Sequence, residues 1–148
     1  MIRDHVGSLR ERCLLVAKVL VVEDSLTALR MVEDLLSEQG HKVFSARDAL
    51  SAFAILRAGR PDLIILDIGL PGIQGHELCA AIRQFPDLVS TPIIMVTGSH
   101  KQIDKRLSYA FGASAYITKP YKADELIEAV NQCLAADEAL ANATLDVE

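Results

Sequence analysis

The feature that most constrains the fold of this chain is a set of four short apolar runs, each followed by a polar residue. The runs are 19–22, 63–66, 93–96 and 115–118, and the residues that follow them are Glu23 with Asp24, Asp67, Thr97 and Lys119. Short apolar runs of this kind are typical of strands buried on both faces of a parallel sheet. Since the carboxyl ends of parallel strands meet at one edge, we expect these polar side chains to form a single site.

Amphipathic segments separate the apolar runs, which is the alternation that builds βα units around a parallel sheet. The predicted strands are 18–23, 42–46, 62–67, 92–97 and 114–118, and the predicted helices are 26–39, 48–58, 75–85, 101–111 and 122–137. Ser25 is expected to cap the first helix, and Gly40 to end it. The sequence therefore predicts one α/β domain at 18–137, with an N-terminal extension at 1–17 and a C-terminal tail at 138–148.

Composition argues against several classes of protein. With 148 residues and 51% hydrophobic content, the chain has enough material for one buried core. A net charge of −5 argues against a nucleic-acid binder, which normally carries a basic surface. No apolar stretch is long enough to span a bilayer, and Lys18 interrupts the segment 13–22 that might pass for a signal-peptide core. We therefore expect a cytoplasmic protein with neither a nucleic-acid nor a membrane partner.

The predicted site contains three acids whose charges need a counter-charge. Glu23, Asp24 and Asp67 would repel one another if all were ionised at neutral pH. A hard divalent cation such as Mg²⁺ would neutralise them through oxygen ligands, and Lys119 adds a further positive charge. A carboxylate can also attack a phosphoryl donor to give an aspartyl phosphate, and the Thr97 hydroxyl is a suitable donor to one of its oxygens. The residue set therefore indicates phosphorylation of a carboxylate beside a bound cation.

Four ordered motifs carry a resemblance to a known family. They are VLVVEDS, LDIGLPGIQG, VTG and YITKP, at 19–25, 66–75, 96–98 and 116–120. On these motifs the chain resembles a two-component response-regulator receiver domain over about 18–137, of the stand-alone, chemotaxis-regulator-like kind. The resemblance implies a flavodoxin-like doubly wound sheet of five parallel strands, in the order 2-1-3-4-5, with five helices.

The resemblance also implies roles for the acids of the site. Asp67 would be the phosphoacceptor. Asp24 would bind Mg²⁺ directly, while Glu23 would act through a water molecule. The backbone carbonyl of Gly69 would be a further ligand of the metal. All these residues match the family in type, so the resemblance implies a working receiver.

A second group of residues is implied to convert phosphorylation into a signal. Lys119 would pair with the phosphoryl group, and its peptide bond to Pro120 is expected to be cis. Phosphorylation adds about two negative charges, towards which the Thr97 hydroxyl would move. Tyr116 would then turn inward into the space that Thr97 leaves. The signal would be read on the face formed by the fourth helix, the fifth strand and the fifth helix.

Two surfaces are candidates for contact with partner proteins. The apolar stripe of the first helix that is predicted to face the core comprises Ala28, Met31, Val32, Leu35 and Leu36. Leu26 and Leu29 fall outside it, so they either receive a phosphodonor domain or pack against residues 1–17. The second candidate surface is a basic run at the start of the fourth helix, comprising Lys101, Lys105 and Arg106. Such a run is either a partner contact or a solvated helix face.

The leading interpretation is a single-domain response regulator that takes a phosphoryl group from a histidine kinase or a histidine phosphotransfer protein. It would then bind a downstream protein target or pass the group on in a relay, and dimerisation through the fourth and fifth helices stays open. It would catalyse only its own phosphorylation and dephosphorylation, so we do not expect an ordinary enzyme.

Two other functions are compatible with the same class of fold. A Mg²⁺-dependent aspartyl-phosphate phosphatase would also use a strand-end aspartate. The nucleophile of such enzymes lies in a motif that resembles Asp-x-Asp, whereas Gly69 occupies the position of the second acid here. A flavin-binding protein would need a phosphate-binding loop, and the candidate segment at 97–99 is too short and poorly placed.

Overall fold

A five-stranded parallel sheet lies at the centre of the computed structural model, which describes residues 16–70, 75–98 and 102–146. Side chains are described for these residues except at 102–104 and 141–146. The strands are β1 (Lys18–Val22), β2 (Lys42–Ala46), β3 (Leu63–Asp67), β4 (Ile93–Thr97) and β5 (Ala115–Thr118). They are hydrogen-bonded in the order β2-β1-β3-β4-β5, which confirms the predicted topology. The strand order reverses between β1 and β3, which are direct neighbours.

Five α-helices and one 3₁₀ turn surround the sheet in the described part of the chain. They are α1 (Leu26–Glu38), α2 (Ala49–Ala58), α3 (Gly75–Ile82), the 3₁₀ turn Pro86–Leu88, α4 (Gln102–Ala110) and α5 (Ala123–Asp146). The Ser25 hydroxyl caps α1 by accepting a hydrogen bond from the Ala28 amide at 3.3 Å. Gly40, with a φ of +90°, follows the end of α1 in a left-handed conformation that favours glycine. None of the described helices combines the length and the apolarity needed to cross a membrane.

Alternate residues of each strand supply the cores on the two faces of the sheet. On β1, Val19 and Val21 face α1 and α5, while Leu20 and Val22 face α2 and α3. The strands β3 and β4 are buried throughout, so neither face is left to solvent. This packing explains why these strands read as continuous apolar runs. It also leaves the strand ends as the places where polar side chains can gather.

The buried face of α1 contains Leu29, which was predicted to lie outside it, and lacks Met31, which was predicted to belong to it. Leu29 is 3% exposed and packs in the core with Val32 and Leu36, whereas Met31 is 61% exposed. The prediction that Met31 is a core residue is therefore wrong, and so is the placement of Leu29 outside the core. Successive helical residues are about 100° apart, so Met31 cannot share the direction of Val32, whereas a residue three positions before Val32 can.

The third helix ends at Ile82, earlier than the predicted 85, whereas the last one continues to Asp146, past the predicted 137. Phe85 precedes Pro86 and has an extended backbone (φ −79°, ψ 122°), because proline disfavours helical geometry in the residue before it. Arg83 directly follows α3, and its guanidinium donates to the carbonyls of Leu88, Thr91 and Gly112. Arg83 thereby joins the end of α3 to the segments that precede β4 and follow α4.

Candidate functional site

Three carboxylates meet where β1 and β3 end. Glu23 and Asp24 follow β1, Asp67 is the last residue of β3, and the pairing of Val22 with Leu66 sets Glu23 opposite Asp67. One oxygen from each of the three acids lies within 4.8 Å of the others. Glu23 and Asp67 are buried, while Asp24 is partly exposed. The structure therefore brings together the three acids that the sequence places at this edge of the sheet.

Lys119 supplies the positive charge in contact with this cluster. Its Nζ lies 3.1 Å from Glu23 Oε2 and 3.4 Å from Asp67 Oδ2. Its backbone amide donates to the Thr97 carbonyl at 2.6 Å, which continues the pairing of β4 and β5 beyond the strand end. The Lys119–Pro120 peptide bond is cis, the conformation that the family resemblance implies. One ammonium is thus shared between two buried carboxylates.

The electrostatic balance of the cluster is visible in its pKa values. Burial, reinforced by the hydrogen bond and negative charge of Asp67, raises the pKa of Glu23 from 4.5 to about 7, against the lowering effects of Ser25 and Lys119. Burial alone would lower the pKa of Lys119, but its interactions with Glu23 and Asp67 together outweigh burial and raise it. Lys119 therefore stays charged at neutral pH, whereas Glu23 is only partly ionised there.

The turn that carries Glu23 and Asp24 is fixed by hydrogen bonds. The Glu23 amide donates to the Ala46 carbonyl at 3.0 Å, and the Ser25 amide donates to Glu23 Oε1 at 3.1 Å. The Asp24 carbonyl accepts two bonds from the Arg47 guanidinium, from Nε at 3.2 Å and from Nη2 at 2.9 Å. The sequence reasoning missed Arg47, although its position directly after β2 places it at the same edge.

The backbone around Asp67 is equally constrained. The Gly69 amide donates to Asp67 Oδ1 at 3.0 Å, while the predicted role of the Gly69 carbonyl stays a prediction. Gly75 begins α3, and a Cβ added there would lie 2.5 Å from Ile68 Cα and 2.8 Å from the Asp67 carbonyl oxygen. Only glycine lets the start of α3 approach β3 this closely. Gly75 is the last residue of the motif at 66–75, and no role for it could be inferred from the sequence.

Thr97 and Tyr116 share one face of the sheet. Thr97 is buried at the end of β4, two residues after Met95 and on the same side of that strand. Tyr116 pairs with Met95 in the β4–β5 register and packs half-buried against the core formed with α2 and α3. The sheet thus places the two residues of the predicted switch on a common face, and their switching role stays a prediction.

The donor set fits a hard divalent cation. Carboxylate oxygens are the ligands that Mg²⁺ and Mn²⁺ prefer in proteins, and Glu23, Asp24 and Asp67 converge from one side. The partial exposure of Asp24 leaves room for the waters that Mg²⁺ usually retains. Glu23 and Asp67 are already tied to Lys119, so Asp24 is the acid most available for direct ligation.

A family model described as the response regulator receiver domain matches residues 19–131. The chain belongs to this family. Over 113 residues it is 35% identical to the protein PilG of Pseudomonas aeruginosa, covering 76% of this chain and 84% of PilG. The structure of the chemotaxis response regulator CheY4 of Vibrio cholerae matches with a TM-score of 0.76 and 32% identity, covering 80% of this chain and 98% of CheY4.

A further similar structure is the Mn²⁺-bound form of the response regulator Rcp1, with a TM-score of 0.67 and 34% identity over 78% of this chain and 90% of Rcp1. These matches establish the receiver domain of a chemotaxis-like two-component response regulator, with the fold that the motifs implied.

The predicted partner surfaces are placed as follows. Leu26 is 44% exposed at the start of α1, but Leu29 is buried, so the predicted pair does not form a docking site. The physical reason is the helical phase, which turns Leu29 towards the sheet. Lys105 and Arg106 are exposed on α4, and Lys101 lies outside the described residues. Partner contact at these basic residues stays a prediction.

Proposed function

We propose that Asp67 accepts a phosphoryl group from a histidine kinase or a histidine phosphotransfer protein, in a reaction that requires Mg²⁺. The observation that carries this proposal is the convergence of a buried Asp67 with two further carboxylates and one lysine ammonium at the carboxyl edge of the sheet. The Lys119 ammonium contacts only two of the three acids, so a divalent cation would have Asp24 as a further ligand. The Mn²⁺-bound form of the related Rcp1 supports a divalent cation in this family.

In the proposed reaction, a carboxylate oxygen of Asp67 attacks the phosphorus of a phosphohistidine. An O–P bond forms, the N–P bond breaks, and the imidazole of the donor keeps the electron pair. The Lys119 ammonium, now 3.4 Å from Asp67, pairs with a phosphoryl oxygen, and the Thr97 hydroxyl donates to another. Asp24, Asp67 and the Gly69 carbonyl would hold Mg²⁺, with Glu23 acting through water, and the ion would supply neutralising positive charge.

The phosphoryl group would signal through residues on one face of the sheet. Thr97 would move towards it and Tyr116 would follow, because both lie on the α3 side of the sheet next to Met95. The change would be read by a downstream protein target, or the group would pass on in a relay. Lys105 and Arg106 are exposed on α4 and would contribute to this surface, through which dimerisation is also proposed.

We propose that the protein acts as a cytoplasmic switch rather than as an ordinary enzyme. It would catalyse its own phosphorylation and dephosphorylation and process no separate metabolite. The alternative of an aspartyl-phosphate phosphatase is less well supported, because Gly69 offers no second carboxylate two residues after Asp67.

The phosphodonor domain is proposed to dock beside Lys119. Leu26 and Met31 are exposed on α1, and a cavity of about 420 Å³ is lined by Ala28, Met31, Lys119, Pro120 and Tyr121. An apolar rim next to the reactive group suits a protein donor, whereas a small phosphodonor needs no such contact. Leu26→Asp should slow transfer from the donor protein and leave labelling by acetyl phosphate unchanged. Leu50→Asp is the matched control, since Leu50 is 82% exposed on α2.

The proposed phosphoacceptor is tested by Asp67→Asn. We expect the variant to lose the acid-stable, base-labile label that acetyl phosphate or a cognate kinase leaves on the wild type in Mg²⁺. Asp62→Asn is the control, because Asp62 is also next to β3 but lies at its opposite end. A label that persists on Asp67→Asn would exclude Asp67 as the acceptor.

Lys119→Ala should lower the extent of labelling and uncouple it from target binding.

A further inference from the structure

Arg47 holds the backbone of the acidic turn from the neighbouring loop. It directly follows β2, whose last residue, Ala46, pairs with Val22 at the end of β1. The guanidinium reaches across to the β1–α1 turn, where Nε and Nη2 both donate to the carbonyl oxygen of Asp24. Arg47 and Asp24 also line the same open cavity of about 630 Å³. The contact therefore links two loops that are adjacent in the sheet and 23 residues apart in the chain.

The position of this contact matters because the other polar groups of the turn have different partners. The amides of Glu23 and Ser25 are hydrogen-bonded to Ala46 and to Glu23 itself, and Ser25 Oγ caps α1. The peptide that follows Asp24 is held at both ends, at the Asp24 carbonyl by Arg47 and at the Ser25 amide by Glu23 Oε1. The adjoining Asp24 side chain is the most exposed of the three acids and so the least restrained by packing.

We infer that Arg47 is a positioning residue for cation binding, which acts by holding the Asp24 carbonyl rather than by its charge. The inference rests on the proposed function, since it requires that Asp24 binds a divalent cation. The two possible effects of Arg47 have opposite signs. Its positive charge disfavours a nearby cation, whereas its hydrogen bonds favour binding by keeping Asp24 aligned with Glu23 and Asp67.

The test is Mn²⁺ affinity of the full chain, measured by electron paramagnetic resonance of the free ion. The variants are Arg47→Lys, which keeps the charge but loses the two-pronged contact, and Arg47→Gln, which loses both. We expect both to weaken Mn²⁺ binding by about tenfold, the lower end of the range for residues that orient a metal ligand. Arg57→Gln on α2 is the control and should bind Mn²⁺ like the wild type. Unfolding midpoints confirm that each variant is folded.

A double-mutant cycle separates positioning from a general structural effect. If Arg47 acts through Asp24, Arg47→Gln should have no further effect on Mn²⁺ affinity in the Asp24→Ala background. Fully additive losses would overturn the inference. It would also be overturned if Arg47→Gln bound Mn²⁺ more tightly than the wild type while Arg47→Lys bound it equally, as a pure charge effect requires. Absence of Mn²⁺ binding by the wild type would instead refute the proposed cation site itself.

Discussion

The two edges of the central sheet are formed by the same five strands, but their polar side chains make different interactions. At the amino edge, each of three polar side chains accepts a hydrogen bond from one backbone amide. These pairs are His41 Nδ1 with Ala17 at 3.1 Å, Asp62 Oδ2 with Lys18 at 2.8 Å, and Ser114 Oγ with Ile93 at 3.1 Å. At the carboxyl edge, three carboxylates cluster and one ammonium contacts two of them.

The difference distinguishes a structural edge from a functional one. Each of these bonds satisfies a backbone amide, and at Ala17, where the bond is buried, stability requires such an acceptor. At the carboxyl edge, burial together with the hydrogen bond and charge of the neighbouring Asp67 raises the pKa of Glu23 to about 7. A cluster that works against the stability of the apo fold is expected where a ligand compensates for it. Glu23 at the carboxyl edge and His41 at the amino edge should therefore make the free energy of unfolding depend on pH in opposite directions.

The largest effect is expected from a methyl group added at the carboxyl edge. Gly75→Ala should lower the free energy of unfolding by about 3 kcal/mol, because its Cβ would lie 2.5 Å from Ile68 Cα and the backbone has to shift. Gly98→Ala is the matched control, since a Cβ there meets no described atom within 4 Å. Urea unfolding of both variants measures the difference. Equal stabilities would mean that the loop after Asp67 is not tightly packed against α3.

The next effect is a gain of stability from removing one charge of the cluster. The pKa of Glu23 is raised in the folded state, so ionised Glu23 opposes folding, and wild-type stability should fall as the pH rises from about 5 through 7. Glu23→Gln removes this ionisation. Without divalent cations, it should raise the free energy of unfolding by about 1–2 kcal/mol at pH 8 and have little effect at pH 4.5. A loss of stability at pH 8 would argue against a cost of ionised Glu23 in the folded state.

The smallest effect is expected at the amino edge and has the opposite sign in pH. Burial lowers the pKa of His41, so the unfolded chain takes up the proton first and folding is disfavoured as the pH falls below about 6.5. Protonation would also cost the bond from the Ala17 amide, worth about 1 kcal/mol. His41→Asn should weaken this acid sensitivity in urea unfolding between pH 7 and 5. An unchanged pH dependence would contradict a neutral His41 acceptor.

Much of the fold could be predicted because buried strands leave a direct trace in the sequence. Each strand lies within one residue of its predicted bounds. For every strand except β2, the reason is that the strand coincides with an apolar run that a polar residue ends. The cluster of Glu23, Asp24 and Asp67 followed from the rule that parallel strands end at a common edge. These inferences needed only the order of residues along the chain.

The features that escaped prediction depend on contacts between distant segments. Leu29 and Met31 are both apolar, and only the rotation of α1 against the sheet decides which of them is buried. Arg47 was missed because its role depends on where the β2–α2 loop lies relative to Asp24. Gly75 was given no role because the close approach of α3 to β3 is visible only in three dimensions. Sequence periodicity carries no information about such distances.

The central claim is that the acids of the carboxyl edge gather to bind a divalent cation beside Asp67. Calorimetric titration with Mg²⁺ tests it most directly, using the wild type, Asp24→Ala and the amino-edge variant Asp62→Ala. We predict that Asp24→Ala lowers the affinity about tenfold or more, because it removes a carboxylate ligand, and that Asp62→Ala binds Mg²⁺ like the wild type. No binding by the wild type, or equal affinities in all three proteins, would contradict the claim.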